Sequence, residues 1–148
     1  MSLKSILINK GNQVVSIDTA ADLAAAAKLL TKHSIGVLVV LDVDGRLVGI
    51  LSERDIVRAM SENGIAALQL PVAEVMTRSV STCDVNDAIS SVMELMTKGK
   101  FRHMPVLENG RLAGIVSNRD LLKLHLDTIR EHIHQIEASL AEFELMRL

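Results

Sequence analysis

Two short polar phrases carry most of the chemistry in this 148-residue chain: Ser52-x-x-Asp55 in GRLVGILSERD and Ser117-x-x-Asp120 in GRLAGIVSNRD. An ionised carboxylate offers acceptors to two neighbouring hydroxyls, in charge-assisted bonds stronger than neutral ones. A serine at a helix start sets its hydroxyl beside unpaired backbone N–H groups, where phosphate oxygens bind readily. Three apart on a first turn, the two side chains share a face and can grip one ligand together. The same spacing also describes a capping box, with Asp standing in for Glu. Both uses are open from these residues alone.

Other chemistry is thin. Cys83 is the single cysteine and has no activating partner in sequence, so it reads as a small strand-end hydrophobe. His132 and His134 diverge on a helix, and His125 with His132 lacks the Cys or paired carboxylates that complete a metal site. There is neither a G-x-S-x-G elbow nor a Gly-rich phosphate loop. We expect no catalytic residues, no metal, no required cofactor, and hence no enzyme. Arg54 and Arg119 follow the two serines and face either solvent or phosphate. Lys32 and Lys98 suit helix ends, where a cation meets the dipole.

Composition narrows the classes further. The net charge is −2 and the aromatics are Phe101 and Phe143 alone, so neither a basic footprint nor a stacking platform exists for nucleic acid. Apolar residues make up 49% of the chain, enough for a sizeable core of Leu, Ile, Val, Met and Ala. We read one domain, or two small ones sharing a core. A lone cysteine fits a reducing compartment. No signal peptide is read at the N-terminus, and the apolar run Val37–Leu41 is far too short to span a membrane. A cytoplasmic protein without membrane contact is expected.

Those elements must be positioned twice over. Sliding the chain by 66 residues pairs VVSID (14–18) with VSTCD (80–84) and KLLTKHSI (28–35) with ELMTKGKF (94–101); the offset falls to 65 at the turns DVDG and ENG. Within each copy, a short strand (Val14–Ile17, Val80–Cys83) precedes a helix (about 20–32 and 86–98) behind a cap-like Asp18 or Asp84. A Gly-bearing hairpin follows, and a second helix opens at Ser52 or Ser117. The order per copy is β-α-β-β-α. About 60 residues bury too little surface to stand alone, so the copies should pack sheet to sheet about a pseudo-twofold axis. The fold class is mixed α/β (α+β). Its segments are 3–63, first repeat; 64–79, connection; 80–125, second repeat; and 126–148, a C-terminal amphipathic helix.

The chain resembles a tandem pair of cystathionine β-synthase (CBS) domains of the small stand-alone type. The likeness rests on hydrophobic-Gly-Ile-x-Ser-x-x-Asp in both copies, VMT at 75–77, RHMPV at 102–106 and SILINKGNQVVSI at 5–17, and it covers about residues 3–125. The resemblance implies adenosyl ligands in two clefts between the copies, with Asp55 and Asp120 accepting ribose hydroxyls beside Ser52 and Ser117. It implies a regulatory sensor for AMP, ADP or ATP, and the same likeness admits S-adenosylmethionine, NAD(H) or a structural module with vestigial clefts. Relatives also place a basic pair where Arg102-His103 stands, whereas the first copy has Gly36-Val37 there. A guanidinium fork and an imidazole N–H suit phosphate oxygens, and Gly and Val offer no such donor. Unequal sites follow, with phosphate held near Arg102 and His103; the alternative is a solvated arginine beside a packed histidine. Met104 and Pro105 should border adenine, with Ile17 and Cys83 as further wall candidates or plain core.

From Leu122 the apolar positions run Leu122, Leu126, Ile129, Ile133, Ile136, Leu140 and Phe143, alternating four and three as an a/d seam does. Such a helix either folds back on its own domain or packs on a second copy. Because it continues past the repeat, and because CBS pairs often form disc-like dimers, a homodimer is expected. The regulated protein is not identified by these residues.

Overall fold

The computed structural model describes residues 2–11 and 13–148; Met1 and Asn12, within the N-terminal stretch read above, lie outside the described residues. Two three-stranded sheets form the frame. In the first, β1 (Ser16–Asp18) runs parallel to β2 (Val37–Leu41), which pairs antiparallel with β3 (Leu47–Ser52). In the second, β4 (Cys83–Asp84), β5 (His103–Glu108) and β6 (Arg111–Ser117) repeat that arrangement. The hairpins follow from their turns. Asn109 and Gly110 both take left-handed φ angles (53° and 76°), which a two-residue turn between twisted strands requires.

The helices are α1 (Leu3–Lys10), α2 (Leu23–His33), α3 (Glu53–Asn63), α4 (Val72–Val75), α5 (Ile89–Gly99) and α6 (Asn118–Met146), with a 3-10 segment at Gly64–Gln69. The first helix of each copy starts three residues later than expected, at Leu23 and Ile89. Asp18 and Asp84 instead bend the chain, accepting from Ala20 N and Asn86 N at 2.8 and 2.9 Å. Asp22 caps α2, accepting from Ala25 N at 2.8 Å, whereas α5 begins behind Ala88 without a side-chain cap.

Each repeat has its own buried cluster rather than one shared interior. The connecting helices are exchanged between them. Leu3, Ile6 and Leu7 of α1 precede the first repeat but lie in the second repeat's core, with Met104, Val106, Val116 and Leu121. Val72 and Met76, around α4 before the second repeat, lie in the first repeat's core, with Leu38, Val40, Leu51 and Ile56.

This exchange explains two repeated glycines. A Cβ on Gly49 would collide with Met76 Sδ and come within 3.1 Å of the Thr77 carbonyl oxygen; one on Gly114 would collide with the Leu7 side chain. Neither has a positive φ, so close approach, not backbone freedom, requires glycine at both. The exchanged segments tie the two sheets together about the pseudo-twofold, and the sheet faces turned away from the helices meet across two cavities.

Candidate functional site

Both Ser-x-x-Asp phrases sit where a strand hands over to a helix, and both close a capping box. Asp55 N donates to Ser52 Oγ at 3.2 Å and Ser52 N donates to Asp55 Oδ2 at 2.9 Å. In the second repeat the corresponding distances are 3.1 and 2.8 Å. Capping does not exhaust these groups. Each carboxylate spends Oδ2 on the box and keeps Oδ1 for another donor, and each serine hydroxyl still has a proton to give.

The first cavity, of about 290 Å³, joins the two repeats. Ser52, Arg54 and Asp55 come from the start of α3, and Arg102, His103 and Pro105 from the second repeat. Among the described residues Asp55 is the one buried charged side chain, and there its Oδ1 meets only Arg58 Nη1, at 3.5 Å. Gly36 and Val37 line this cavity as well as the second, and Arg58, Lys100, Glu53, Thr77 and Ser81, which were not singled out from sequence, also line it. The repeat offset could have found Lys100. It ends α5 in the left-handed region (φ 56°) as Ser34 ends α2, and the two residues line opposite cavities.

The second cavity, of about 280 Å³, is built differently. Ser117, Ile115 and Gly114 face Gly36, Val37 and Ser34 of the first repeat, and Lys10 and Gln13 enter from the N-terminal segment. Lys10 Nζ donates to Asp120 Oδ2 at 2.7 Å and to the Ile115 carbonyl at 3.3 Å. Burial pushes the Asp120 carboxyl up, but the Lys10 ammonium and the Ser117 N–H together hold it below its ordinary range. Asp120 itself is not on the cavity wall.

His103 borders both cavities. Burial first, then the Lys10 and Arg102 charges, depress its pKa against the opposing pull of Asp120 and Glu53, so the imidazole is neutral near pH 7.

Besides Asp120, four expected site residues lie elsewhere. Met104 is fully buried in the second core because strand alternation turns it to the helices and its neighbour Pro105 to the cavity. Ile17 belongs to the first core. Cys83 belongs to the second; its thiol donates to the Pro105 carbonyl at 3.8 Å, and burial, helped by Asp87 and Asp84, pushes its pKa up to about 11. Arg119 is exposed on α6 and lines neither cavity.

Duplicated β-α-β-β-α units with paired clefts are matched by the CBS domain family model at residues 5–62 and again at 72–127. The chain belongs to the CBS domain family. Its CBS pair is similar to an uncharacterized 17.7 kDa protein of Acidianus ambivalens, 42% identical over 106 residues that cover 71% of this chain and 63% of that protein. The chain thus spans less than two thirds of that relative's length. Among solved structures, the CBS-domain containing protein ATU1752 from Agrobacterium tumefaciens superposes with a TM-score of 0.79 at 45% identity, covering 82% of this chain and 91% of that one. The CBS domain pair of protein MJ0100, solved with 5′-methylthioadenosine and S-adenosyl-L-methionine, superposes with a TM-score of 0.75 at 29% identity, covering 86% and 98%. No described helix is long and apolar enough to cross a membrane.

Proposed function

We propose that this chain is a regulatory, non-enzymatic ligand-binding module that takes an adenine nucleotide, AMP, ADP or ATP, in its first cavity. One observation carries the reading. The cavity brings a buried carboxylate, Asp55, whose Oδ1 is met only by the exposed Arg58 at 3.5 Å, from one repeat against Arg102 and His103 from the other. Asp55 Oδ1 accepts a ribose hydroxyl, and the Ser52 hydroxyl supports the same sugar. Arg102, with Arg54, Arg58 and Lys100 on the same wall, holds the phosphates. The volume is at the lower end for small-molecule sites, which favours a mononucleotide over a dinucleotide. A ligand seated there touches both repeats, so it favours one relative placement of them over another. From the second repeat, α6 carries that difference outward.

S-adenosylmethionine is the second reading, favoured by its presence in the MJ0100 pair and by Glu53, an anion on the cavity wall suited to a sulfonium. Titration calorimetry of the full chain with AMP, ATP and S-adenosylmethionine separates the two. We expect AMP or ATP to bind, and Arg102→Ala to weaken that binding about tenfold, equivalent to about 1.4 kcal/mol, while leaving S-adenosylmethionine unaffected. Heat from none of the three overturns the reading and leaves a structural module with vestigial clefts.

A further inference from the structure

From Leu122 to Phe143, α6 carries an apolar seam that is exposed and unpartnered among the described residues. Leu121 and Leu124 turn inward to the second core, whereas Leu122, Leu126, Ile129, Ile133, Ile136, Leu140 and Phe143 are all exposed. Every residue from Ile129 to Leu148 is exposed, so the helix projects from the body and does not fold back on it. A two-stranded coil is the geometry that buries such a four-three seam.

The flanking charges decide its direction. The residue after each seam position Leu122, Ile129, Ile136 and Phe143 is, in order, Lys123, Arg130, Glu137 and Glu144: basic, basic, acidic, acidic. In an antiparallel pair these positions face their own kind, and in a parallel pair they face the residues before the alternate seam positions. Antiparallel packing of Ile133 against the partner's Ile136 sets Leu126 on the partner's Phe143 and Ile129 on the partner's Leu140. The same register puts Lys123 opposite the partner's Glu144 and Arg130 opposite the partner's Glu137. Symmetry repeats both pairs, and all have opposite sign. Parallel packing instead puts Arg130 beside the partner's His125, Glu137 beside the partner's His132 and Glu144 beside the partner's Ser139. No fixed cation then meets a carboxylate.

We propose that α6 docks on α6 of a second copy as an antiparallel two-stranded coil centred between Ile133 and Ile136, with the two bodies at opposite ends. This does not depend on the ligand reading.

Sedimentation equilibrium of the full chain tests the interface. We expect a dimer, and a monomer from Ile133→Asp, a residue exposed in the single chain whose replacement leaves both cores intact. A monomeric parent, a trimer or tetramer, or a dimer that survives Ile133→Asp overturns the proposal. Direction is tested by charge reversal. Arg130→Glu and Glu137→Arg should each weaken the dimer severalfold, and the double variant should regain most of the parent's affinity. Glu137 also leans on His134 of its own helix, at 3.8 Å; that contact is lost in both Glu137→Arg and the double variant, so its loss cannot produce the rescue between them. Absence of rescue overturns the antiparallel assignment. A nitroxide on Leu145→Cys supplies a distance as well, with buried Cys83 left unlabelled. The two labels should lie about 30 Å apart along the axis at a rise of ~1.5 Å per residue, and labels at about one helix diameter overturn the direction.

Discussion

Lys10 Nζ lies 2.7 Å from Asp120 Oδ2, on the same oxygen that accepts from Ser117 N. Its counterpart Asp55 has no such cation: Arg58 reaches the other oxygen, at 3.5 Å, from an exposed position. The two repeats thus build one carboxylate site twice and engage it differently. At the first, Asp55 lines the cavity and its Oδ1 has only that long contact with Arg58. At the second, an ammonium from α1 shares Asp120 Oδ2 with Ser117 N, and Lys10 rather than Asp120 lines the cleft. Arg102 deepens the contrast, since it lines only the first cavity. The inequality expected from Arg102-His103 against Gly36-Val37 has a second source in Lys10.

Removing that ammonium should open the second cleft. We expect the parent chain to bind one adenine nucleotide per chain, and Lys10→Met to bind a second, weaker one. Calorimetric stoichiometry with AMP reads the difference. A value of one in both chains shows that Lys10 is not what keeps the second cleft closed.

The same pair should make stability depend on acid. The Asp120 carboxyl is held below its unfolded value, so its contribution is complete above the ordinary carboxylate range and is lost as pH falls through the folded pKa. With both groups partly exposed, Lys10→Met should cost about 1 kcal/mol at neutral pH. Parent and variant should converge as pH falls through the depressed pKa of Asp120, below the ordinary carboxylate range. Urea unfolding at neutral and acid pH provides the comparison, and a gap that persists unchanged in acid would falsify the pairing as its cause.

His103 should couple binding to protons. Its pKa is depressed from 6.5, so the free protein holds it neutral at pH 7. Lys10, Arg102, Asp120 and Glu53 face it, and a bound phosphate adds a further anion that favours the imidazolium. AMP binding should therefore take up protons, and its affinity should gain as pH falls from about 7.5 to about 6 relative to that of His103→Gln. The phosphate's own titration acts on both proteins and cancels in that ratio. Calorimetry of both proteins in two buffers of different ionisation enthalpy measures the net uptake; the same uptake in parent and His103→Gln would place the phosphate away from His103.

Much of this was legible because it is local. Ser52 and Ser117 cap helices where the sequence places them, and Asn109-Gly110 announces its own turn. Asp18 and Asp84 misled because an aspartate two residues before an N–H bends the chain as readily as it starts a helix. Met104 and Pro105 were read as neighbours on one wall, although a strand sends adjacent side chains to opposite faces. Lys10 was invisible at the second site because α1 crosses to the other repeat, and its partner Asp120 lies 110 residues away. Local patterns in α1 mark an apolar face but not which core receives it.

That exchange of helices makes the most direct prediction about the fold. Gly114→Ala places a methyl group in the space of the Leu7 side chain, which is 4% exposed and enclosed by the second core. Overpacking of this kind costs about 1–3 kcal/mol. Leu7→Ala alone leaves a cavity and costs about 2–5 kcal/mol. If α1 lies on β6, the double variant should be less destabilised than the sum, because the new methyl fills part of the space Leu7 vacates. The same cycle with Gly49→Ala and Leu7→Ala should be additive, since Gly49 faces Met76 instead. Denaturant unfolding of the two cycles measures both couplings. Equal coupling would mean that α1 does not discriminate between the repeats, and a coupling confined to Gly49 would place α1 on the first repeat, next to it in sequence.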